Sequence, residues 1–535
     1  MKVMKNKEQN LTQAGTILLL SSIIVKLIGA LFKIPLSSDY ALGDLGFGYF
    51  SAVYDLYTPI YTLALSGFPV AISKITADAI AKGDLESQGK IHFSTLRLVS
   101  LIGIIVTFIF CGLAIPMVLA QSGDKNGFIG VIAIAPSVLI CSIVSVYRGY
   151  FEGRKNMIFP AVSNIIEALG KLCLGLLSAI ITVRLTNNLA LGAAAALFGI
   201  TLGTVASLIY LKFKFNKNNK ILSSDCKKYD KNMKGQLLKI IIPVSVASLS
   251  MAIVGLIDSV TLRPLLKALL QSDSRFYELL LSDTSYTNVK IGEIPTLIYG
   301  IKSKAHTIFH LAPTFTMAFG IGAVPMVSEY FTQGDKANIK KNVEASLKFS
   351  SVLAMPIAVG CFSLSFGIMN LLYGDTSALL GGKILQIYSV ASLFAGLTIP
   401  TTALLQGISR QREALVSICV GIAVKLILNF VLVGIPTLNV LGAVIASVCC
   451  FAVTFILNMV FLIKGLGFAP NIFATLLKPF IAAMACGLTA FLIADNSSSK
   501  LIIALAIVCA GVVYVGLLLF FKVVTVEDGK ELFKI

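Results

Sequence analysis

The sequence predicts an all-α polytopic membrane protein, from its composition, the length of its apolar runs and an internal repeat. Of its 535 residues, 56% are hydrophobic and only 13% are charged, which leaves too little polar surface for a soluble protein of this size. The apolar residues form runs of about 20–28, the length that crosses roughly 30 Å of hydrocarbon as an α-helix. The alternating pattern of a membrane β-barrel is missing from these runs.

We predict fourteen transmembrane helices with both termini on the cytoplasmic side. The basic residues 1–10 lead directly into the first apolar run, without the cleavage site of a signal peptide. With this orientation most of the 44 Lys and Arg residues, Arg148 among them, fall on the cytoplasmic side, as the positive-inside rule requires. The predicted spans are residues 12–34, 46–72, 94–120, 128–149, 157–183, 189–211, 238–262, 295–328, 347–373, 380–408, 412–436, 438–463, 471–494 and 500–521.

The net charge of +18 is explained by the membrane rather than by nucleic acid. Cations that flank membrane spans set orientation and meet anionic lipid headgroups. No Walker A motif occurs, since "GGK" at 381–383 lacks the upstream glycine spacing and the following Ser or Thr. We therefore expect a monomeric, multi-pass protein of the bacterial cytoplasmic membrane, with no nucleic acid and no cofactor.

Two halves of the chain repeat each other at a separation near 254 residues. "YFEGRKNMIFPAVSNIIEALGKL" (150–172) matches "LLQGISRQREALVSICVGIAVKL" (404–426), and "GFPVAISKITADAIAKGD" (67–84) matches "GAVPMVSEYFTQGD" (322–335). A unit of six spans has an even number of crossings, so both copies run the same way through the membrane. A substrate site is then expected between them.

The repeat divides the chain into two lobes and a C-terminal pair of helices. We predict an N-lobe at 1–211 (helices 1–6), a basic cytoplasmic linker at 212–237 and a C-lobe at 238–464 (helices 7–12). Residues 465–535 hold helices 13 and 14 and a tail. Leucines at helical spacing in 263–294 predict an amphipathic helix on the outer surface of the membrane, inserted into the C-lobe.

Lys26 lies deep inside the first predicted span. It is about 13 Å from the outer end at 1.5 Å per residue, where a cation costs roughly 2.5–3.5 kcal/mol on the insertion scale. We expect it either to line a polar cavity or to pair with a neighbouring helix. Lys33 lies seven residues further on the same helix face, and it is expected to join that cavity or to snorkel to the interface.

Two acids lie inside predicted spans 2 and 7. Asp55, in the second span, shares a face with two threonines, so it is expected to line the cavity or to pair with Lys26. Asp258, near the outer end of the seventh span, is followed by Arg263, so a local ion pair and a site are both open. These two acids are the candidates for ion coupling, and the sequence does not predict a coupling ion.

A polar stripe runs along the eighth span. Lys302, His306 and His310 recur every four residues on one face, while Lys304 points elsewhere. Phosphate recognition needs several donors and compensating positive charge, and a lysine flanked by histidines supplies both. Two histidines four residues apart can also ligate zinc, but no third ligand lies nearby in the sequence, so no metal site is predicted.

The repeat places two lysines at equivalent positions. Lys171 has Glu167 one turn before it, which predicts a structural ion pair. Lys425 has Gly421 at that place. We therefore expect Lys425 to face the cavity, the region of a substrate tail or a carboxylate on another helix, and we count it among the candidate substrate contacts.

Several stretches resemble the polysaccharide-flippase branch of the multidrug/oligosaccharidyl-lipid/polysaccharide exporter superfamily, the branch that includes stage V sporulation protein B and the lipid II flippases. Fourteen spans arranged as two six-helix bundles plus two are also the architecture of that superfamily. The resemblance covers spans 1–12. Its stretches are "KLIGALFKIPL" (26–36), "YTPIYTLALSGFPVAISK" (57–74), "YRGYFEGRKNM" (147–157) and "IFHLAPTFTMAFGIGAVPMVSEY" (308–330).

The resemblance implies that the chain flips an undecaprenyl-pyrophosphate-linked oligosaccharide, a cell-wall or surface polysaccharide precursor, by alternating access. It also implies a cationic cavity lined by the first, second, seventh and eighth helices. We expect Lys26 and Lys302 to hold the pyrophosphate in this cavity, with Lys33, Lys304 and the two histidines in support and Asp55 tuning the site. A multidrug or organic-cation antiporter of the same superfamily is the alternative. A membrane glycosyltransferase or polymerase is disfavoured, because the outer loop 263–294 shows no recognisable carboxylate pairing, and no enzymatic activity is expected.

Overall fold

The computed structural model describes residues 11–81, 85–121, 125–218, 250–272, 289–494 and 499–523, which are helical almost throughout. The α-helices of these ranges are α1 Leu11–Leu36, α2 Gly43–Ala81, α3 Leu85–Gln121, α4 Ile129–Gly153, α5 Ile158–Gly170, α6 Leu176–Thr186, α7 Leu189–Asn218, α8 Ser250–Ser272, α9 Ile294–Phe309, α10 Leu311–Gln333, α11 Lys336–Ser363, α12 Ser365–Tyr373, α13 Asp375–Gly407, α14 Gln411–Val433, α15 Asn439–Leu466, α16 Lys478–Ala494 and α17 Lys500–Phe520. Turns of π-helix at Lys171–Gly175 and Phe473–Leu477 precede α6 and α16.

Twelve helical stretches in the described ranges are long and apolar enough to cross a membrane. They coincide with predicted spans 2–6 and 8–14, which confirms a multi-pass, all-helical membrane protein. Predicted span 1 coincides with α1. Predicted span 7 begins in residues outside the described ranges and continues into α8. The total of fourteen and the cytoplasmic side of both termini stay predictions.

Helix α8 extends beyond the predicted end of span 7. It runs unbroken to Ser272, and Leu262, Leu266 and Leu269 are buried. The leucine spacing therefore does mark a helix, but its first part is a continuation of the span rather than a separate segment. The remainder of the predicted insertion, up to residue 288, lies outside the described residues.

The chain forms two compact units. Unit 1 comprises residues 1–263 and 290–300, and unit 2 comprises residues 264–289 and 301–535. The first turns of α9 belong to unit 1 because two glycines let them approach α2 at backbone contact. A Cβ on Gly48 would meet the carbonyl oxygen of Thr296, and a Cβ on Gly300 would meet the carbonyl oxygen of Asp44; only glycine fits such an approach.

Each unit has its own apolar core. In unit 1, α4 packs between α2 and α7, and large side chains such as Phe47, Phe50 and Leu197 fill the space between them. In unit 2, α15 packs on α13 and α14, and α10 packs on α13. A second cluster in unit 2 joins α11 to α16 and α17 around Tyr514. The outward faces carry many exposed Leu, Ile, Val and Phe side chains, as expected of helices in lipid.

The same helix-ending turn recurs in both units. Lys155 after α4 and Ser409 after α13 are 254 residues apart and have φ values of 55° and 62°, a left-handed conformation that non-glycine residues rarely adopt. In each copy the next amide donates to the carbonyl five residues earlier, at 3.0 Å in unit 1 and 2.8 Å in unit 2. This is the hydrogen bond of a Schellman cap, so the backbone follows the repeat seen in the sequence.

Candidate functional site

The buried charged and histidine side chains of the described residues differ in kind between the two units. Those of unit 1 are Asp44, His92, Arg148, Glu167, Asp258 and Arg263; those of unit 2 are Lys302, Lys304 and Lys425. Among the described side chains, the buried carboxylates therefore all lie in unit 1 and the buried lysines all lie in unit 2. Removing a charge from water is costly unless a partner compensates it.

Glu167 is the centre of a buried network in unit 1. Its Oε2 accepts a hydrogen bond from Arg148 Nη2 at 2.9 Å, and its Oε1 accepts one from Tyr61 at 2.7 Å. Lys171 Nζ lies 3.2 Å from the same Oε1. Ser163 accepts from Nε of the arginine at 2.8 Å. The contact expected between Glu167 and Lys171 is thus present, and it belongs to a larger network in which two cations surround one carboxylate.

Beside this network, the backbones of neighbouring helical segments approach each other unusually closely. Lys171 opens the π-helical turn between α5 and α6, and such bulges often occur at functional sites. Gly170 faces Gly203 of α7, whose Cα would lie 2.5 Å from an added Cβ. Gly175 faces Gly199 of α7 just as closely. These glycine pairs bring α7 against the turn that carries Lys171. The equivalent α14 has no such turn and runs continuously from Gln411 to Val433.

The two lysines of α1 have different surroundings. Lys26 is exposed on the surface of α1, next to the exposed Leu27. Lys33 is half-buried, and its Nζ lies 5.0 Å from the centre of the Tyr54 ring on α2, within cation–π distance. Lys33 therefore contacts an aromatic side chain of the neighbouring helix.

Asp55 and Arg263 are linked through one tyrosine of unit 1. Tyr299 donates a hydrogen bond of 2.6 Å to Asp55 Oδ2, and the Arg263 guanidinium lies 5.6 Å from the centre of the Tyr299 ring. The side chain of Arg263 is fully buried, and its three nitrogens have no hydrogen-bond partner among the described residues. The alternative of a local hydrogen-bonded pair between Asp258 and Arg263 is therefore not observed; the arginine stacks on the tyrosine instead.

The lysines of the eighth span are enclosed in unit 2. Lys302 and Lys304 are both fully buried. The Nζ of Lys304 donates to Ser377 at 3.1 Å and lies 5.1 Å from the centre of the Tyr373 ring. The difference in direction expected between Lys304 and the stripe of Lys302 is consistent with these contacts to α12 and α13.

His306 and His310 are half-buried and in contact with each other. Their ring centres are 4.5 Å apart in an edge-to-face arrangement. His306 also lies 5.5 Å from the ring of Tyr388 on α13. Helix α9 ends at Phe309 and α10 begins at Leu311, so His310 stands at the junction of the two helices. The histidines of the stripe are thus part of an aromatic cluster in unit 2.

Lys425 is fully buried in α14 and donates a 2.6 Å hydrogen bond to Ser447 on α15. The repeat thus places a lysine at the same position in each unit, next to a carboxylate in unit 1 and next to a hydroxyl in unit 2. None of the three alternatives for Lys425 named a hydroxyl on the neighbouring helix.

Sequence reasoning missed three functional candidates of unit 1. Arg148, grouped with the cations of the cytoplasmic flank, is buried against Glu167. Tyr61 and Tyr299 each donate to a buried or half-buried carboxylate. Tyrosines inside apolar spans are common core residues. Only the carboxylate on another helix distinguishes these two from ordinary core tyrosines. The arginine carried a usable signal, since it lies within an apolar run.

Two family models match consecutive parts of the chain. The polysaccharide biosynthesis protein family matches residues 11–269, and the MatE family matches residues 290–431. Relatives in Bacillus subtilis agree with this. Stage V sporulation protein B is 25% identical over 533 residues and covers 98% of both chains. Lipid II flippase MurJ is 25% identical over 479 residues, covering 85% of this chain and 83% of its own.

Solved structures show the same fold. The lipid II flippase MurJ in an inward closed conformation matches with a TM-score of 0.68 at 14% identity, covering 94% of this chain and 98% of its own. A multidrug resistance MATE family transporter in an inward-facing conformation matches with a TM-score of 0.66 at 13% identity, covering 84% and 97%. The sequence relative whose name states an activity is a flippase, in agreement with a chain that is not an enzyme. In sequence and in fold, the chain therefore resembles the polysaccharide-flippase branch of the multidrug/oligosaccharidyl-lipid/polysaccharide exporter superfamily.

Proposed function

We propose that this protein is a flippase that moves an undecaprenyl-pyrophosphate-linked oligosaccharide from the inner to the outer leaflet by alternating access. The observation that carries the proposal is the sign of the buried charge in unit 2, where Lys302, Lys304 and Lys425 are buried and no carboxylate is buried among the described side chains. Ionisable residues at membrane depth are costly and usually functional. Three cations in one apolar unit favour an anionic cargo.

The diphosphate of a lipid-linked sugar suits such an interior. Its oxygens accept charge-assisted hydrogen bonds from ammonium groups, while the prenyl chain stays in the hydrocarbon. Lys26 and Lys302 would hold the diphosphate, with Lys33 and Lys304 in support. Lys302 and Lys304 are enclosed in the conformation described, so the substrate would reach them in another conformation of the transport cycle.

The remaining candidates have supporting functions in this proposal. His306 and His310 would donate to phosphate oxygens, and Lys425 would face the substrate or its lipid tail. Asp55, held by Tyr299, would tune the charge of the site and, with Asp258, is a candidate for ion coupling.

The topology belongs to the proposal as well. Span 1, in α1, and span 7, which continues into α8, would complete fourteen spans. Both termini would then be in the cytoplasm of a bacterium, with the chain in the cytoplasmic membrane. The predicted lobes at 1–211 and 238–464 would move against each other.

An organic-cation antiporter is the second candidate. It is favoured by the match of the MatE family model to residues 290–431. A cationic cargo would need buried acids near it, whereas the part of unit 2 that the structure describes buries three lysines. We therefore rank it below the flippase.

A flipping assay with purified protein tests the proposal. Vesicles containing the full chain and a fluorescent undecaprenyl-pyrophosphate disaccharide should expose the inner-leaflet probe to an impermeant quencher far faster than empty vesicles. Lys26→Ala should abolish this flipping without loss of folded protein, while Lys74→Ala, at an exposed lysine of α2, should leave it near the wild-type rate. Transport of an organic cation without lipid flipping would establish the antiporter instead.

A further inference from the structure

An aromatic ladder runs along α2 in unit 1. Ring centres are 5.7 Å apart for Phe47 and Phe50, 5.4 Å for Phe50 and Tyr54, 6.2 Å for Tyr54 and Tyr57, and 5.5 Å for Tyr57 and Tyr61. Phe47, Phe50 and Tyr57 are buried, whereas Tyr54 and Tyr61 are half-buried. The ladder extends over about four helical turns, and it presents two of its five rings at the surface of the unit's core.

Each of the two half-buried rings has a lysine over it. Lys33 Nζ of α1 lies 5.0 Å from the centre of the Tyr54 ring. Lys171 Nζ of the π-helical turn lies 4.9 Å from the centre of the Tyr61 ring. The tyrosines are seven residues apart, so they share one helix face and are separated by about 10 Å along α2. Two lysines from different elements thus meet one helix face in the same way.

The rings are held in place before any ligand arrives. Tyr61 is fixed through its hydroxyl, which donates to Glu167 at 2.7 Å. Tyr54 is fixed by stacking on Phe50 at an interplanar angle of 14°. Thr58, between the two tyrosines on the same face, donates to the carbonyl oxygen of Tyr54 at 2.8 Å. A face whose side chains are already ordered loses little entropy when it binds a ligand.

We propose that this face, formed by Lys33, Tyr54, Thr58, Tyr61 and Lys171, receives the junction of sugar and diphosphate by an exchange of partners. The inference rests on the proposed function and adds the sugar to it. Without ligand, the negative face of each ring accommodates an ammonium group. With ligand, the diphosphate oxygens draw the ammonium off the ring, and the C–H face of a pyranose, which is apolar and slightly positive, packs on the ring instead.

If partners exchange in this way, Tyr54→Leu should change the affinity for two lipids differently. Tyr54→Leu removes the ring that the sugar would cover, so binding of undecaprenyl diphosphate carrying a disaccharide should weaken about three- to tenfold. Binding of undecaprenyl diphosphate without sugar should stay within about twofold or become tighter, because Lys33 no longer leaves a cation–π contact. Tyr54→Phe keeps the ring and should behave like the wild type with both lipids.

The chain lacks tryptophan, which provides a direct reporter. Tyr54→Trp would be its single tryptophan, and its emission should change saturably with the disaccharide lipid and much less with undecaprenyl diphosphate. Tyr210→Leu is the matched control, since Tyr210 is also half-buried beneath a lysine, Lys214, at 5.6 Å, but lies outside the ladder. Both lipids should bind this control as they bind the wild type.

The outcomes separate this inference from the proposed function. If the wild type binds both lipids and Tyr54→Leu weakens both equally, or neither, the ring does not contact the sugar and only this inference is overturned. The same holds if Tyr210→Leu reproduces the effect. If the wild type binds neither lipid, the proposed function is wrong and the inference falls with it.

Discussion

Arg148 on α4 donates a 2.9 Å hydrogen bond to Glu167 on α5, and both side chains are at most 5% exposed. This pair joins two helices of unit 1 in its interior, where water compensates neither charge. It also sets the position of Tyr61 and Lys171, since both contact the same carboxylate. The network therefore holds Tyr61 and Lys171 in position, which are two of the five side chains of the proposed sugar-binding face.

Removal of the carboxylate charge should destabilise the protein strongly. Glu167→Gln leaves the buried Arg148 and the half-buried Lys171 without a counter-charge, so the free energy of unfolding should fall by about 3–5 kcal/mol. Denaturant titration of purified protein measures it. Glu413→Gln is the control, because its pair with Arg410 is a third exposed and is expected to contribute at most about 1 kcal/mol. Equal losses in the two variants would show that the depth of the Glu167 network adds nothing.

Two buried arginines should respond differently to the same substitution. Arg263 has no hydrogen bond to its nitrogens among the described residues, so Arg263→Met should leave the free energy of unfolding unchanged or raise it by up to about 4 kcal/mol. Arg148→Met removes one partner of a buried pair and should lower it by about 3–5 kcal/mol. Thermal unfolding of both variants provides the comparison, and a large loss for Arg263→Met contradicts the expectation.

The contact between α5 and α7 should not tolerate a methyl group. Gly170→Ala would place a Cβ 2.5 Å from the Cα of Gly203, and overpacking of this kind typically costs about 1–3 kcal/mol. Gly112→Ala, in α3, meets no atom within 4 Å and should be neutral or stabilising by up to about 1 kcal/mol. Unfolding midpoints of the two alanine variants test this, and a neutral Gly170→Ala would mean that the helices separate freely.

The stability of the protein should depend on the hydrogen bond that Lys425 of α14 donates to Ser447. Ser447→Ala removes the acceptor that lies 2.6 Å from Lys425 Nζ, with an expected cost of about 1–3 kcal/mol because a buried donor loses a hydrogen bond. Ser389→Ala is matched to it, since Ser389 is equally buried but bonds only the carbonyl of Leu385 in its own helix, and it should cost less than about 1 kcal/mol. If the two variants unfold alike, the bond from Lys425 contributes no measurable stability.

The helices and the repeat could be predicted from sequence because both are local. An apolar run of sufficient length must satisfy its own backbone hydrogen bonds in lipid, which permits only a helix. The turn at Lys155 and its copy at Ser409 follow from residues within one stretch of chain. The pairing of Lys171 with Glu167 was predictable for the same reason, since one helical turn separates them.

Partners that come from other helices were decided by tertiary structure. Arg148 lies 19 residues from Glu167, and Tyr299 lies 244 residues from Asp55, so no periodicity along one helix relates them. Likewise, the two tyrosines on one face of α2 contact lysines from two other elements, α1 and the π-helical turn. By itself the sequence determined a membrane-spanning, twice-repeated helical chain with charges at depth, because hydrophobicity and helical period act along the chain. Only packing decided which oxygen or ring each charge meets, because that depends on how the helices of a unit are rotated and how closely their glycines let them approach.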